Sequence, residues 1–421
     1  MSIESTPGAQ QTLTIVGAGI VGLASALALQ RAGFKVRVLD KTGVAAGASK
    51  GNAGHFGTEQ VFPLADPALL LKLPGMLLDP LGPFRIRPQY FFKALPWFMR
   101  FMLNMLPARR AHNTRAIRAL NQKAIGAMQQ LVSFCDCEPL LVLNGSLLVF
   151  ETTPRAEVEA EYRRYAAAGV AVRLLDGDAV QALEPTLSRD IRHGLYFTQV
   201  GHTPDPQGLC EAMARKFVSL GGELVIGELA QIQTQGGLSL RTTEGNVWQT
   251  EHLLLAAGAW STPFARQIGH KVPLETERGY HLMMPQHSGL SRPVASFERK
   301  FIITPMTQGT RLAGTVEFGG LKAPMSPARA DCLFEHARVL LPQIFATARV
   351  SDGERWMGFR PSLPDSLPVI GKSNVDRVYF SFGHQHLGLT WAAISANLLE
   401  QVILGKQPEL DMAPYRVQRF D

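Results

Sequence analysis

The sequence predicts a mixed α/β fold, in which a parallel sheet assembled from separate stretches of chain is joined to an antiparallel-sheet domain. Three observations carry that expectation. The N-terminus reads as strand, glycine turn, helix and strand, and the C-terminus returns to strand, glycine loop and helix. Between them, from about Arg278 to Phe318, short apolar segments follow one another in antiparallel fashion.

Each element follows from its local pattern. Leu13–Val16 is a short apolar run of the kind a buried strand needs. Residues 20–32 are rich in Ala and Leu and end at Gly33, as a helix does, and Lys35–Asp40 alternates as a second strand. A Gly/Ala/Ser-rich loop runs from Thr42 to Gly57, and residues 64–106 are dense in Leu, Pro, Phe and Met. Helices are expected near 111–134, 155–168 and 209–220, with strands at Gly145–Phe150 and Glu223–Ile226. His252–Ala256 is continuously apolar, as in a central parallel strand. The antiparallel segments are Tyr280–Met284, Phe301–Thr304 and Leu312–Glu317, and the chain closes with a strand at Val378–Ser381 and a helix at Thr390–Leu404. The expected parallel-sheet domain uses 1–85, 195–275 and 355–421, and the second domain uses 86–194 and 276–354.

Composition narrows the function classes. Of 421 residues, 46% are hydrophobic and 18% charged, an ordinary globular balance. The net charge of +7 would suit a nucleic-acid or membrane partner, but the excess is local. No acidic residue lies between Asp79 and Asp136, where Arg85, Arg87, Lys93, Arg100, Arg109, Arg110, Arg115, Arg118 and Lys123 fall. Cys135, Cys137, Cys210 and Cys332 show neither C-x-x-C nor metal-ligand spacing, so no metal site and a reduced cytoplasmic setting are expected. The N-terminal MSIESTPGAQQ is polar, so no signal peptide is expected, and no apolar run is long enough for a transmembrane helix.

Gly17-Ala18-Gly19-Ile20-Val21-Gly22 sits between the first strand and first helix, in the Rossmann-type pattern. Gly17 permits the tight turn, Gly19 lets backbone approach a pyrophosphate, and Gly22 lets helix and strand pack closely. The helix N-terminus faces the negative charge. Asp40, closing the second strand and followed by Lys41, is placed to accept hydrogen bonds from adenosine ribose hydroxyls. The motif alone does not choose between FAD and a nicotinamide dinucleotide.

Further segments make that choice. They are Ala48-Ser49-Lys50-Gly51-Asn52-Ala53-Gly54-His55, Leu254–Ser261 (LLAAGAWS), Gly358-Phe359-Arg360-Pro361 with Pro364–Gly371 (PDSLPVIG), and Gly383–Thr390 (GHQHLGLT). With the N-terminal unit, they resemble the D-amino acid oxidase-like FAD-dependent oxidoreductases, most closely the D-amino acid dehydrogenase branch. The resemblance implies a D-amino acid oxidase-like fold and non-covalent FAD. It implies that Ser49 and Lys50 lie near pyrophosphate and ribose, with Asn52, Ala53 and Gly54 along the flavin and His55 beside the ring. It also implies a backbone contact from Ala230 to adenine, a shield from Ala257, Gly258 and Trp260, and a last helix opened by Gly383, His384, Leu387, Gly388, Leu389 and Thr390 at the flavin.

The resemblance further implies that Arg360 holds a substrate carboxylate, its planar fork matching the two oxygens. The oxidases often add a tyrosine where Phe301 stands here, and Tyr280 is the proposed substitute. His386 either reaches the substrate or packs. The implied chemistry is oxidative deamination of a D-amino acid, cyclic ones such as D-proline or a hydroxy-D-proline included, with electrons passed to a membrane quinone or another carrier. Two alternatives remain: an oxidase of glycine, sarcosine or D-amino acids using O₂, and a membrane- or nucleic-acid-binding module with a vestigial flavin site. Nucleic acid is not the expected partner. The basic, apolar segment 85–123 is read either as a peripheral membrane contact on the inner face of the cell membrane or as a buried helix with solvated basic neighbours. Pro96 is expected to kink or divide it.

Overall fold

Gly17 sets the entrance to the fold. At φ +114° it ends the strand Thr12–Val16, and a Cβ there would stand 2.4 Å from the Ala256 carbonyl oxygen. The computed structural model describes residues 10–70, 79 and 81–421. Most of the polar N-terminal stretch and part of the Leu/Pro/Phe/Met-dense segment therefore lie outside the described residues.

The helix Ile20–Arg31 follows at once, and a Cβ on Gly22 would sit 1.9 Å from the Gly17 carbonyl oxygen, so only glycine allows the turn and helix to nest. Residues 22–29 of this helix are all buried, because the sheet covers one side and the last helix, Gly388–Ile403, the other. The sheet runs in the order Val369–Lys372, Val378–Phe382, His252–Leu255, Thr12–Val16, Lys35–Asp40, Glu223–Ile226. All pairs are parallel except the first, which is antiparallel. A three-stranded meander, Leu229–Gln233, Leu238–Thr242 and Val247–Thr250, lies beside it.

The second sheet has nine strands. From one edge it runs Glu354–Ser362, Glu275–Met284, Gly309–Phe318, Phe301–Met306, Val294–Ser296, Ser146–Phe150, His193–Phe197 and Val172–Asp176, while Phe84–Ile86 also pairs with Gly309–Phe318. Leu282, Met284, Phe301, Ile303 and Leu312 pack on the helix Ala328–Leu340.

This layout moves several expected boundaries. His193–Phe197 and Glu354–Ser362 each straddle a predicted boundary but lie wholly in the nine-stranded sheet, and Phe84–Ile86 joins it as well. The long helix Pro107–Phe134, expected in the second domain, packs instead on the parallel-sheet side. Trp391 Nε1 donates to Asn121 Oδ1 at 2.7 Å, and Tyr415 OH donates to the Ala116 carbonyl at 2.8 Å, fixing it there.

The helix Phe91–Leu103 runs unbroken through Pro96. Ala94 and Trp97 are buried, with Trp97 and Phe98 meeting Phe318, while Phe91, Phe92, Met99, Met102 and Leu103 are exposed, Phe92 at 81%. One face of this helix is thus buried against the nine-stranded sheet and the other is exposed. Among the described residues, no helix is long and apolar enough to cross a membrane.

One buried ionic cluster braces the nine-stranded sheet. Arg278, fully buried, pairs with Glu317 at 2.5 Å and donates to the Ala323 and Pro324 carbonyls. Tyr280 OH and Arg87 Nε also bond Glu317, at 2.7 and 3.1 Å. Burial alone would raise the Glu317 carboxyl, but these donors hold it below its ordinary range. Its stabilising contribution is therefore present above the ordinary carboxylate range and lost as pH falls through the depressed value. Glu317→Gln leaves Arg278 buried without its counter-charge and should cost about 3–5 kcal/mol in chemical denaturation at neutral pH. A loss under about 1 kcal/mol would show that the cluster is not a brace.

Candidate active site

A cavity of about 520 Å³ crosses the carboxyl ends of the parallel strands. Its wall contains Gly17, Gly19, Ile20 and Val21 from the glycine turn, Asp40 and Lys41, and Ser49 and Asn52 from the loop. Ala257, Gly258 and Trp260 close one side, and Gly383, His384, Gly388 and Leu389 come from the C-terminal motif. This is the crevice in which open α/β sheets place a dinucleotide.

Local bonds explain why these residues meet. Ser49 Oγ accepts from Ile20 N at 3.0 Å, which holds the loop against the N-terminus of the helix. Asp40 Oδ1 accepts from Thr42 N and Gly43 N at 2.9 and 3.0 Å, and Oδ2 accepts from Ala18 N at 2.8 Å. Oδ2 thus keeps acceptor capacity for a ribose hydroxyl. The Lys41 ammonium lies 4.0 Å from the Trp260 ring centre. Ser381, on the same wall, has a buried hydroxyl without a protein partner, which suits a bound polar group.

Other expected contacts fall off the wall. Gly22 backs the turn rather than facing the cavity. Ala230 gives its carbonyl to Gln267 Nε2 at 3.2 Å, and its neighbour Leu229 lines the cavity with Glu228. Thr390 Oγ1 accepts from Gly57 N at 3.0 Å, and Leu387 is buried. Lys50 offers its carbonyl to Arg311, as does Asn52 of the wall, while Ala53 is half-buried and Gly54, at φ +76°, packs on the Thr203 carbonyl and Met306. Phe359, Pro361, Ser381 and Gln385 line the cavity although the sequence reading passed over them. The signal was present for Phe359 and Pro361, which flank Arg360 in its motif.

Beyond the cavity the strand Glu354–Ser362 brings Arg360 opposite Glu277 on its neighbour. The guanidinium lies across Gly279, where a Cβ would stand 2.6 Å from Cζ. Among the described residues no protein group hydrogen-bonds it; burial lowers its basicity and Glu277 opposes that shift. Glu277 is buried, accepts from Ser362 Oγ at 2.6 Å, and is itself raised by burial.

Three histidines gather nearby. His55 Nε2 is 2.8 Å from Glu59 Oε1, His202 pairs with His55 across two short strands, and His386 Nε2 is 2.6 Å from Gln60 Oε1. Burial pushes His202 down to about 4 and His386 to about 3, and both Arg360 and His55 are close enough to push His386 further. His386 therefore stands neutral beside Arg360.

Tyr280 does not join them. Side chains alternate along a strand, so it lies on the face opposite Gly279, where its hydroxyl serves Glu317. Phe301 packs on the same far side, against His336. The second carboxylate anchor expected from Tyr280 is thus absent from that position.

Comparison with known proteins agrees with this architecture. A family model described as DAO, FAD dependent oxidoreductase, matches residues 12–402. The D-amino-acid oxidase of Bradyrhizobium diazoefficiens is 33% identical over 414 residues, covering 97% of this chain and 98% of the relative. The D-amino acid dehydrogenase of Rhizobium rhizogenes is 29% identical over 419 residues, covering 97% and 99%. Among solved structures, glycine oxidase from Geobacillus kaustophilus shares the fold with a TM-score of 0.73 at 21% identity, covering 97% of this chain and 99% of its own. The chain belongs to the DAO family of FAD-dependent oxidoreductases.

Proposed function

We infer that this enzyme oxidises a D-amino acid, cyclic imino acids such as D-proline and hydroxy-D-proline included, and that Arg360 holds the substrate carboxylate. The observation that carries the reading is Arg360 itself, a guanidinium that no group among the described residues hydrogen-bonds, flanked by two residues that line the dinucleotide cavity. Relatives named D-amino acid oxidase and D-amino acid dehydrogenase match over nearly the full chain, which supports the substrate class.

Gly17, Gly19, Ser49 and Asp40 would hold the FAD pyrophosphate and ribose, and the N-terminus of the helix Gly388–Ile403 would face the flavin. Bound there, FAD supplies a two-electron acceptor for the hydride from substrate Cα. The protein's part is orientation: a bidentate carboxylate contact fixes where Cα–H lies, and neutral His386 adds no competing charge. The imino acid released then hydrolyses to a 2-oxo acid and ammonia. In this reading FAD is held without a covalent bond. The wall carries no cysteine, and its histidine, His384, has Nε2 engaged with Ser395 Oγ at 3.0 Å.

The electron acceptor in this reading is a membrane quinone. Support comes from the exposed apolar face of Phe91–Leu103, set beside the exposed cations Lys93, Arg100 and Arg109. Such a face suits shallow insertion into an anionic lipid surface on the cytoplasmic side.

Two outcomes are expected. Arg360→Ala should lower kcat/KM by about 30- to 1000-fold with FAD retained, and Arg360→Lys should restore only part of it. Wild-type kinetics in the alanine variant would place the carboxylate elsewhere. The enzyme should co-sediment with anionic liposomes at low salt, less so at high salt, and reduce a ubiquinone analogue faster than O₂. Protein that stays in the supernatant and prefers O₂ would favour an oxidase.

A further inference from the structure

The His55–Glu59 pair is the part of the substrate side that the carboxylate clamp leaves unused. A carboxylate only accepts, so the 2.8 Å contact puts the hydrogen of His55 on Nε2 and the free lone pair on Nδ1. Among the described residues Nδ1 has no partner, and neither has Glu59 Oε2, although both atoms are buried. Two orphaned polar atoms in one bonded pair are costly unless something outside the protein meets each.

What meets Glu59 is a second cavity, of about 370 Å³. It lies between the helix Pro107–Phe134 and the segments 168–171 and 198–200, with Glu59, Arg118 and Asn121 in its wall. Gln122, Gly169 and Gln199 line it too and are exposed, so water reaches it. Nδ1 is the other end of the pair, and His386, on which both His55 and Arg360 act, links the pair to the neighbourhood of the arginine.

We propose that His55 and Glu59 form a proton relay, carrying a proton from the substrate ammonium to water in the second cavity. The proposal rests on the reading of Arg360 as the carboxylate clamp. The ammonium N–H bond breaks and its proton joins His55 Nδ1, the bonding pair staying on the amine. The Nε2 hydrogen passes to Glu59 Oε1, and Glu59 then releases a proton to cavity water. Nothing is oxidised or reduced in these steps. The amine gains the lone pair that expulsion of hydride from Cα requires; release of the proton by Glu59 restores the starting charge, and return of His55 to the Nε2–H tautomer restores the starting state.

The groups around the pair favour this direction. His202 faces His55 from the paired strand and His386 from the start of the last helix, both held neutral by burial, with Arg292 acting on His202. Tyr165, from the helix Arg155–Ala167, lies near Glu59 and is held protonated by burial and by that carboxylate, while Glu161 and Arg164 act on Tyr165 in opposite senses. Arg118, in the wall of the second cavity, and Arg360 are the cations on either side.

The test is anaerobic flavin reduction in the holoenzyme by the best D-amino acid of a panel, from about pH 6 to about pH 10, in wild type, Glu59→Gln and His55→Asn. Without the relay the enzyme must wait for substrate whose amine is already neutral. Each variant should therefore be slower by roughly 100-fold near pH 7, with the deficit closing near pH 10, the range in which aliphatic amines lose their proton. FAD content, and the flavin absorbance response to isobutyrate, a carboxylate without an amine, should match wild type. A deficit equal at every pH, or no deficit, overturns the relay. Nitrogen-15 NMR of the resting holoenzyme, with the resonance assigned by its loss in His55→Asn, should show the Nε2–H tautomer; the Nδ1–H tautomer also overturns it. Wild-type flavin that no D-amino acid reduces sinks the underlying reading instead, and is seen before any variant is made.

Discussion

The site depends on a guanidinium laid across a side chain that is not there. Arg360 occupies the space that any residue but glycine would fill at position 279, so its fork is held against the sheet without a hydrogen bond to any of the described residues. A half-buried cation left in that state favours a ligand that completes it. Glu277, opposite in register, supplies a nearby negative charge but is itself bonded to Ser362. The arginine is thus placed and partly compensated, with its bidentate edge still available, which is the condition a carboxylate clamp needs.

The same strands explain how a distant surface can bear on that arginine. Trp97 Nε1 donates to the Ser362 carbonyl at 3.3 Å, and Ser362 Oγ bonds Glu277, so the helix with the exposed apolar face is braced on the strand that carries Arg360. On the other face of the sheet, Arg278, Tyr280 and Arg87 converge on Glu317. A single strand, Glu275–Met284, therefore separates two charge clusters, Arg360 with Glu277 on one face and Arg278 with Glu317 on the other.

That division marks the limit of what could be read from the sequence. The glycine turn, Asp40 and the motif around Arg360 were legible, because their chemistry is local: a turn that tolerates no Cβ, and an acid at a strand end. Tyr280 was misplaced because the face of a strand residue depends on register, and one step along the strand moves a side chain to the other side of the sheet. The Pro107–Phe134 helix was recognised as a helix but assigned to the wrong neighbour, since its partners Trp391 and Tyr415 lie nearly three hundred residues away. His55 was singled out, but its partner Glu59 lies in a loop, where no helical or strand period brings i and i+4 together.

The most direct test of the account is to fill the space that holds the arginine. In Gly279→Ala the new methyl group would collide with the Arg360 guanidinium, while the dinucleotide cavity lies elsewhere. Titration of the holoenzyme with a simple carboxylate, followed by flavin absorbance, should show affinity weakened by about 10- to 100-fold with FAD content unchanged. Undiminished carboxylate affinity in a folded, flavin-loaded Gly279→Ala protein would contradict the central claim that Arg360, held over Gly279, is what recognises the substrate.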